Sequence, residues 1–332
     1  MKRTRLITIT LAVLFVLLYC DEKNVFEPRN YDITWEKTSC PLERIDHVFA
    51  SPNGTLFAVT EEAMAWGGPA EMYRSSDDGE TWEKLNWYLS IDDLVFKKNG
   101  DIFTKAYSEW SSHLLRSTNN GDIWEELSLA SPGDRTFGPL TMDSNENIFA
   151  VANNAVYRSS DNGETWIKKG NALDHSCKLV VTNRGTIYLG STFDVYYSKD
   201  AGLSWTKTNA PEDFEIRGLC LHPADMIFAR TFNKLYYSST RKFDWKRITE
   251  FDTWGLEGLM IDEEGVIYVL IEESFYSPGE EYGIFISQDH GKSFQKIEPP
   301  HEHMESFTLD PGGIMYIGTF DDGLYKSNEP FF

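Results

Sequence analysis

Thiols are scarce in this chain. Four cysteines in 332 residues, Cys20, Cys40, Cys177 and Cys220, are too few and too scattered for a disulfide-built scaffold. Positive charge is in deficit as well. Lys and Arg number 31 against 52 Asp and Glu, a formal net charge of −21. That balance excludes a binder of phosphate backbones, which needs a basic stripe, so no nucleic-acid partner is expected. It also disfavours adhesion of the folded part to anionic lipid. No stretch keeps a 3.6-residue apolar period over three turns, which excludes a helical architecture. What is abundant is aromatic: 21 Phe, 16 Tyr and 10 Trp. A charged fraction of 25% is the ordinary globular share, so global disorder is excluded too.

The amino terminus reads as an export signal. Met1 to Arg5 holds three basic residues, and Leu6 to Tyr19 is an apolar or small-polar run of 14. A membrane-spanning helix needs about 20 residues, whereas a signal peptide does not. The run stops at Cys20, and Asp21-Glu22 follow at once. Leu17-Leu18-Tyr19-Cys20 resembles a bacterial lipobox, although Tyr19 departs from the usual small residue. The resemblance implies lipidation at Cys20, a signal over 1–19, a tether over 20–30 and a folded domain over 31–332. The location implied is the cell envelope, lipid-anchored to a bacterial membrane. Removing Lys2, Arg3 and Arg5 takes the formal charge from −21 to −24. Cys40, Cys177 and Cys220 read as buried small hydrophobes.

A self-comparison shows a repeat. Ser75-Ser76-Asp77-Asp78-Gly79-Glu80-Thr81-Trp82 recurs as Ser159-Ser160-Asp161-Asn162-Gly163-Glu164-Thr165-Trp166. Ser198 to Trp205 keeps Asp200 and Gly202. Ser117 to Trp124 has Asn119 for the Asp. Ser287 to Phe294 keeps Asp289 and Gly291, and Ser238 to Trp245 has lost both. With Ser327, the seven box serines span 252 residues in six intervals, a mean of 42. That is the length of a four-stranded propeller blade. The Asp can accept N–H groups of its own turn, the Gly supplies positive φ, and the Trp folds back over the hairpin. The box thus reads as a self-contained structural lock. Between boxes each unit carries a further hairpin of alternating strands. The expected fold is all-β, a seven-bladed propeller. Its last unit stops at Ser327 and lacks a fourth strand, so Tyr31 to Lys37 should complete it and leave no open edge.

These boxes resemble the bacterial neuraminidase repeat, or Asp-box, family of β-propellers. The family includes sialidases, sortilin-like receptors, xyloglucan-degrading enzymes and photosystem assembly factors, so the repeat implies the fold without choosing among them. The resemblance implies that ligands use the face opposite the boxes. Sialidases carry an Arg triad. Arg44, Arg135 and Arg217 could supply one here, but Asp46 stands where an Arg-Ile-Pro motif has Pro, and sialidases have six blades.

Long loops are expected in units 1 (Glu61 to Ala70), 2 (Ala106 to His113) and 6 (Glu272 to Tyr282), which cluster on one sector because units 6, 7, 1 and 2 are neighbours around the ring. Four Trp lie outside boxes: Trp66, Trp87, Trp110 and Trp254. With Tyr107, Tyr276 and Tyr282 they fall in loops assigned to the ligand face. There they suit stacking on sugars or a protein hot spot, or they pack the loops down. His301 and His303 alternate in an entry loop and join the binding candidates; two His fall short of a zinc site, so no metal and no cofactor is expected. Asp46, Asp92, Arg217, Glu257 and Glu305 precede inner strands and could rim a channel. Glu257 and Glu305 come from adjacent units and form a possible inverting-glycosidase pair, which needs about 6.5–9.5 Å between carboxyls. The leading expectation is a non-catalytic, monomeric propeller that binds a carbohydrate or an envelope protein. A glycoside hydrolase and an assembly or scaffolding factor are the alternatives.

Overall fold

A computed structural model of the chain describes residue 29 and residues 31–61, 70–107, 112–129, 138–172, 176–191, 194–211, 216–252, 255–273 and 282–332. Residues 33–332 form one compact unit. Among the described residues all elements of this unit are strands, grouped into seven antiparallel sheets of four. The innermost strands, one per blade, are His47–Ala50, Ser90–Phe96, Leu140–Met142, Ser176–Val181, Gly218–His222, Leu256–Ile261 and Met304–Leu309. The fold is a seven-bladed β-propeller, as the 42-residue period predicts.

Closure follows the expected route. Trp35–Lys37 pairs antiparallel with Leu324–Ser327, so the amino-terminal strand is the outermost strand of the seventh blade. The Trp35 indole also donates to the Glu298 carbonyl at 2.8 Å, and the Thr34 N–H to the Asn328 side chain at 2.8 Å. Beyond that strand the chain tucks Phe331 into the core, 1% exposed, edge-on to Tyr268 of blade 6. Both ends of the 33–332 unit are thereby held by pairing or packing, where frayed ends would otherwise leave unpaired sheet edges.

The boxes form the hydrogen bonds that their residue types dictate. In blade 1 the Asp77 carboxylate accepts from Ser75 Oγ at 2.8 Å, Thr81 N–H at 2.9 Å and Thr81 Oγ1 at 2.6 Å. Ser75 Oγ itself accepts the Gly79 N–H at 3.0 Å, and Gly79 sits at φ +84°. Asp161, Asp200 and Asp289 repeat the pattern. The Asn119 amide oxygen reproduces the N–H contact, to Ile123 at 2.9 Å.

The box is not self-contained, however, and here the structure corrects the reading of it as a local lock. A Cβ at Gly163 would lie 2.6 Å from a Leu127 methyl and 3.2 Å from the Phe103 ring, both in the preceding blade. Gly121 presses likewise on Leu85 and Phe57 of blade 1. The residue before the box serine reaches the other way. Arg74 Nη1 donates to the Asn120 carbonyl in the next box at 2.6 Å, Arg116 to Asn162, and Lys326 to Asp78. The box Trp rings join inter-blade clusters, Trp82 packing on a group that contains Ile45, Leu56, Tyr316 and Leu324. Each turn is thus a joint between blades. A propeller blade buries its two faces only against its neighbours, so the tightest turn in each repeat must also be the closest contact. Blade 5, whose box is lost, joins its neighbour differently: Phe243 stacks on Tyr197 of blade 4 at 4.8 Å.

Candidate functional site

The inner strands enclose a central channel of about 850 Å³, lined from all seven blades. Register assigns its ends. In blade 1, His47 pairs with Val59 at one end, while Ala50 pairs with Leu56, and Leu56 with the box residue Ser75, at the other. Charged lining residues lie at the first end, where chains enter inner strands or leave second strands. The face opposite the boxes is therefore the polar mouth.

The mouth has two arcs of opposite sign. Blades 6, 7 and 1 contribute Glu257, Glu305, Asp46 and Glu61. Glu272, just past the second strand of blade 6, adds to them: burial first, then the charges of Glu257 and Glu305, push its carboxyl up to about 7. Glu305 is pushed up to about 6, by burial and then by Asp46, with Glu257 adding to the rise and Arg44 and His47 opposing it. Among the described residues none hydrogen-bonds the carboxyls of Glu257, Glu272 or Glu305. Asp46 differs: it is buried and holds Arg44 Nη2 at 2.5 Å and the Glu61 N–H at 2.8 Å. Glu61 accepts from the Tyr107 hydroxyl at 3.3 Å and lies 3.0 Å from His47 Nε2.

The second arc is basic. Lys178 of blade 4 and Arg217 and Arg230 of blade 5 line the same cavity. Burial lowers the pKa of the Arg230 guanidinium while the charge of Glu257 opposes the shift, and the guanidinium donates to the Leu256 carbonyl. Cys220 lies between them, its thiol pushed up to about 11 by burial, and such a thiol is a poor nucleophile. In a chain with 21 more acids than bases, this collects three cations in neighbouring blades on one wall.

Two exposed rings flank the arcs. Phe320 lies under the Arg44 guanidinium at 4.8 Å, and Phe232 under Arg217 at 5.9 Å. They are 39% and 41% exposed.

Of the residues singled out from sequence, Arg44, Arg217, Glu257 and Glu305 all line the channel, and Tyr107 joins it through Glu61. Arg135, Trp66, Trp110, Trp254, Tyr276 and Cys20 lie outside the described residues, as do most of the long loops of blades 1 and 6. Cys177 lies in a described strand but its side chain, like that of Asp92, does not. Trp87 is a correction: it is buried, 7% exposed, edge-on to box Trp124 at 5.0 Å, with its indole donating to the Leu89 carbonyl. It cements blades 1 and 2 and offers nothing to a ligand. The His301 and His303 rings do share a side, at 6.0 Å. Among the described residues no group of three or more His, Cys, Asp or Glu is placed to hold a metal. Sequence reading missed Glu272, Lys178 and Arg230. A charged residue within or ending a strand that is otherwise aliphatic was the available signal: Lys178 in SCKLVV and Arg230 closing MIFAR.

Comparison with known proteins agrees with the fold. A family model described as "DUF6242 beta propeller domain" matches residues 91–221. The chain is a β-propeller by sequence profile and by structure. A search of curated proteins finds no match. Among solved structures, YCF48 from Cyanidioschyzon merolae superposes with a TM-score of 0.63 at 13% identity, over 88% of this chain and 98% of that one. Virginiamycin B lyase from Staphylococcus aureus gives 0.64 at 12%, over 90% and 99%. The GH74 xyloglucanase from Xanthomonas campestris gives 0.66 at 17%, over 90% of this chain but 54% of that one. At such identities the likeness speaks for the fold alone.

Proposed function

We propose that the protein is an exported, lipid-anchored propeller of the Asp-box type that binds a glycan or a protein segment at the cell envelope and does not turn it over. The observation that carries this reading is the channel mouth opposite the boxes, where charged groups from several blades converge on one open cavity between exposed Phe232 and Phe320. Polar groups converging on a preformed cavity are the usual mark of a ligand site. The basic Met1–Arg5 segment, the run to Tyr19 and Cys20 support export and lipidation. One structural neighbour is a YCF48 bound to a D1 peptide, and another is a xyloglucanase. Both ligand classes are therefore compatible with this scaffold.

One observation favours a hydrolase instead. Burial pushes the Glu272 carboxyl up to about 7 and the Glu305 carboxyl up to about 6, toward the protonated form that a general acid needs. A glycan array and a panel of chromogenic glycosides separate the two readings. Binding that survives Glu257→Gln and Glu305→Gln supports the binding propeller. Turnover that disappears in either variant overturns it. For the anchor, Cys20→Ser is expected to leave the chain unprocessed and out of the membrane fraction.

A further inference from the structure

Blade 5 departs from its neighbours at two turns. Its box has lost the Asp and the Gly, and at the turn between its inner and second strands a histidine stands where three other blades have an Asp. In blades 3, 6 and 7 that turn is held by Asp143, Asp262 and Asp310, whose carboxylates accept the N–H two residues on at 2.9, 3.0 and 2.8 Å. In blade 5 the acceptor is His222 Nδ1, which takes the Ala224 N–H at 3.0 Å. We propose that His222, with His290 of the blade 6 box, forms a pH-sensitive latch between blades 5 and 6, closed while His222 is neutral and released when it is protonated. The latch does not depend on the binding reading above.

The bonds around His222 fit one protonation state. Nδ1 accepts, so the proton of the neutral ring sits on Nε2. There it is shared between the Gly265 carbonyl at 2.9 Å and His290 Nδ1 at 3.1 Å, both in blade 6. The neutral ring thus closes its own turn with one nitrogen and crosses to the next blade with the other. A proton added to Nδ1 turns that acceptor into a donor facing the Ala224 N–H. The turn bond is lost, and a cation is left beside a second imidazole, 4.8 Å away centre to centre. His222 is 5% exposed, so water does not compensate while the joint is closed. The Asp turns escape this switch. A carboxyl keeps an acceptor oxygen in either protonation state, and an imidazolium has none.

The charges around the ring do not offset that cost. Asp262 of blade 6 acts on His222, but its carboxylate is already held by the Glu264 and Val266 N–H groups and the Tyr268 hydroxyl. Asp225 in the blade 5 turn pairs with Arg241 at 2.5 Å. Asp289, beside His290, accepts from Ser287 and from the Lys292 and Ser293 N–H groups. Arg241 and Lys292 carry the same sign as an imidazolium. Phe228 packs against the ring at 5.9 Å, and a Cβ on Gly265 would lie 2.8 Å from Nε2, so the joint is tight on both sides. Burial lowers the His222 pKa from its ordinary value against the pull of the Gly265 carbonyl, with His290 adding to the fall and Asp262 opposing it. The stability that the latch contributes is therefore fully present above the unfolded value, about 6.5, and is lost as pH falls through the folded one. The strand that ends at His222 also lines the channel, where Cys220 donates to the Leu259 carbonyl of blade 6 at 3.4 Å. The latch and the channel wall thus share one joint.

Backbone hydrogen exchange of the full chain, read by mass spectrometry at pH 7.5, 6.5 and 5.5 and corrected for the intrinsic rate, tests the latch. Segments 218–226 and 262–267 should open more often in acid, by up to about tenfold at pH 5.5, the limit set by an unfolded value of about 6.5. Segment 143–148, where Asp143 closes the same turn, should not respond. His222→Gln keeps an acceptor and a donor and does not titrate, so it should flatten the response of both segments. A second readout needs no variant: nitrogen-15 spectra of the imidazoles should show His222 Nδ1 without a proton at pH 7.5. Corrected exchange in 218–226 that is the same at pH 7.5 and 5.5 overturns the proposal. So does a proton on Nδ1 at pH 7.5, or an acid response that persists undiminished in His222→Gln. None of these results bears on ligand binding, which the glycan array reads separately.

Discussion

The two faces of this propeller use the same functional group in opposite ways. On the box face, Asp77, Asp161 and Asp200 are exposed and saturated with donors. The hydroxyl and N–H of the residue four positions on, then the box serine, hold their carboxyls low, Asp200 at about 2. On the channel face Glu272 and Glu305 are half-buried and have no such donors among the described residues, and their carboxyls rise to about 7 and about 6. Stabilising hydrogen bonds to the charged form explain the first set, and desolvation with like charges nearby explains the second. The lesson is a division of labour. The turn that repeats is optimised for folding, and the carboxyls pushed above their ordinary range lie at the channel mouth.

That contrast can be broken from either side. The largest effect is expected from Gly163→Ala. A side chain at φ +84° is strained, and its Cβ would meet Leu127 at 2.6 Å. Chemical denaturation should show a loss of about 3 kcal/mol, with channel affinity unchanged. Ser159→Ala comes next. Its buried Oγ accepts the Gly163 N–H at 2.8 Å, and leaving that donor unpaired should cost about 1–3 kcal/mol. If either variant proved neutral, the box would not be the joint described above.

Effects on the channel face should carry the opposite sign. Glu272 has a raised folded pKa, so its ionisation opposes folding: stability is fully present below the unfolded value, about 4.3, and is lost as pH rises through about 7. Glu272→Gln should therefore raise the melting temperature at pH 8, by roughly 2 °C, and leave it unchanged at pH 4. A drop at pH 8 would show the carboxylate to be structurally paired. Asp200 should run the other way. Its contribution is present above the unfolded value and is lost as pH falls through about 2. Asp200→Asn should consequently be less stable than the parent at pH 7, and the gap should close in acid. The smallest effect on stability belongs to Phe232→Ala and Phe320→Ala, within about 0.5 kcal/mol because both rings are exposed. Ligand affinity should fall nonetheless. An unchanged affinity would remove these rings from the site.

Much of the fold is legible in the sequence because its signals are short-range. The box bonds run between residues two and four apart, so Ser, Asp, Gly and Thr at fixed offsets specify the turn wherever it occurs. The missing strand after Ser327 and the surplus strand at Trp35 made closure legible too. The site was legible in part. Glu257, Glu305, Arg44 and Arg217 stand at entry positions that a blade template locates. Trp87 misled because a ring outside a box looks free in sequence, yet it fills the space behind Trp124. Glu272 carried no signal as an acid at a loop start. Its raised pKa comes first from burial and then from Glu257 in its own blade and Glu305 in the next, a convergence that sequence spacing does not encode.

By itself, then, the sequence determined a seven-fold repeat, self-bonding turns in five of its units, its aromatic joints and the route by which the propeller closes. Hydrogen bonds across a few residues and an alternating apolar pattern suffice for that. Only the closed ring decided which charges meet. Lys178, Arg217, Glu257, Glu305 and Asp46 are spread over more than 250 residues, and each is an ordinary loop or strand residue in its own blade. Bending seven blades around one axis collects them at a half-buried mouth, where the lower dielectric turns scattered charges into two facing arcs.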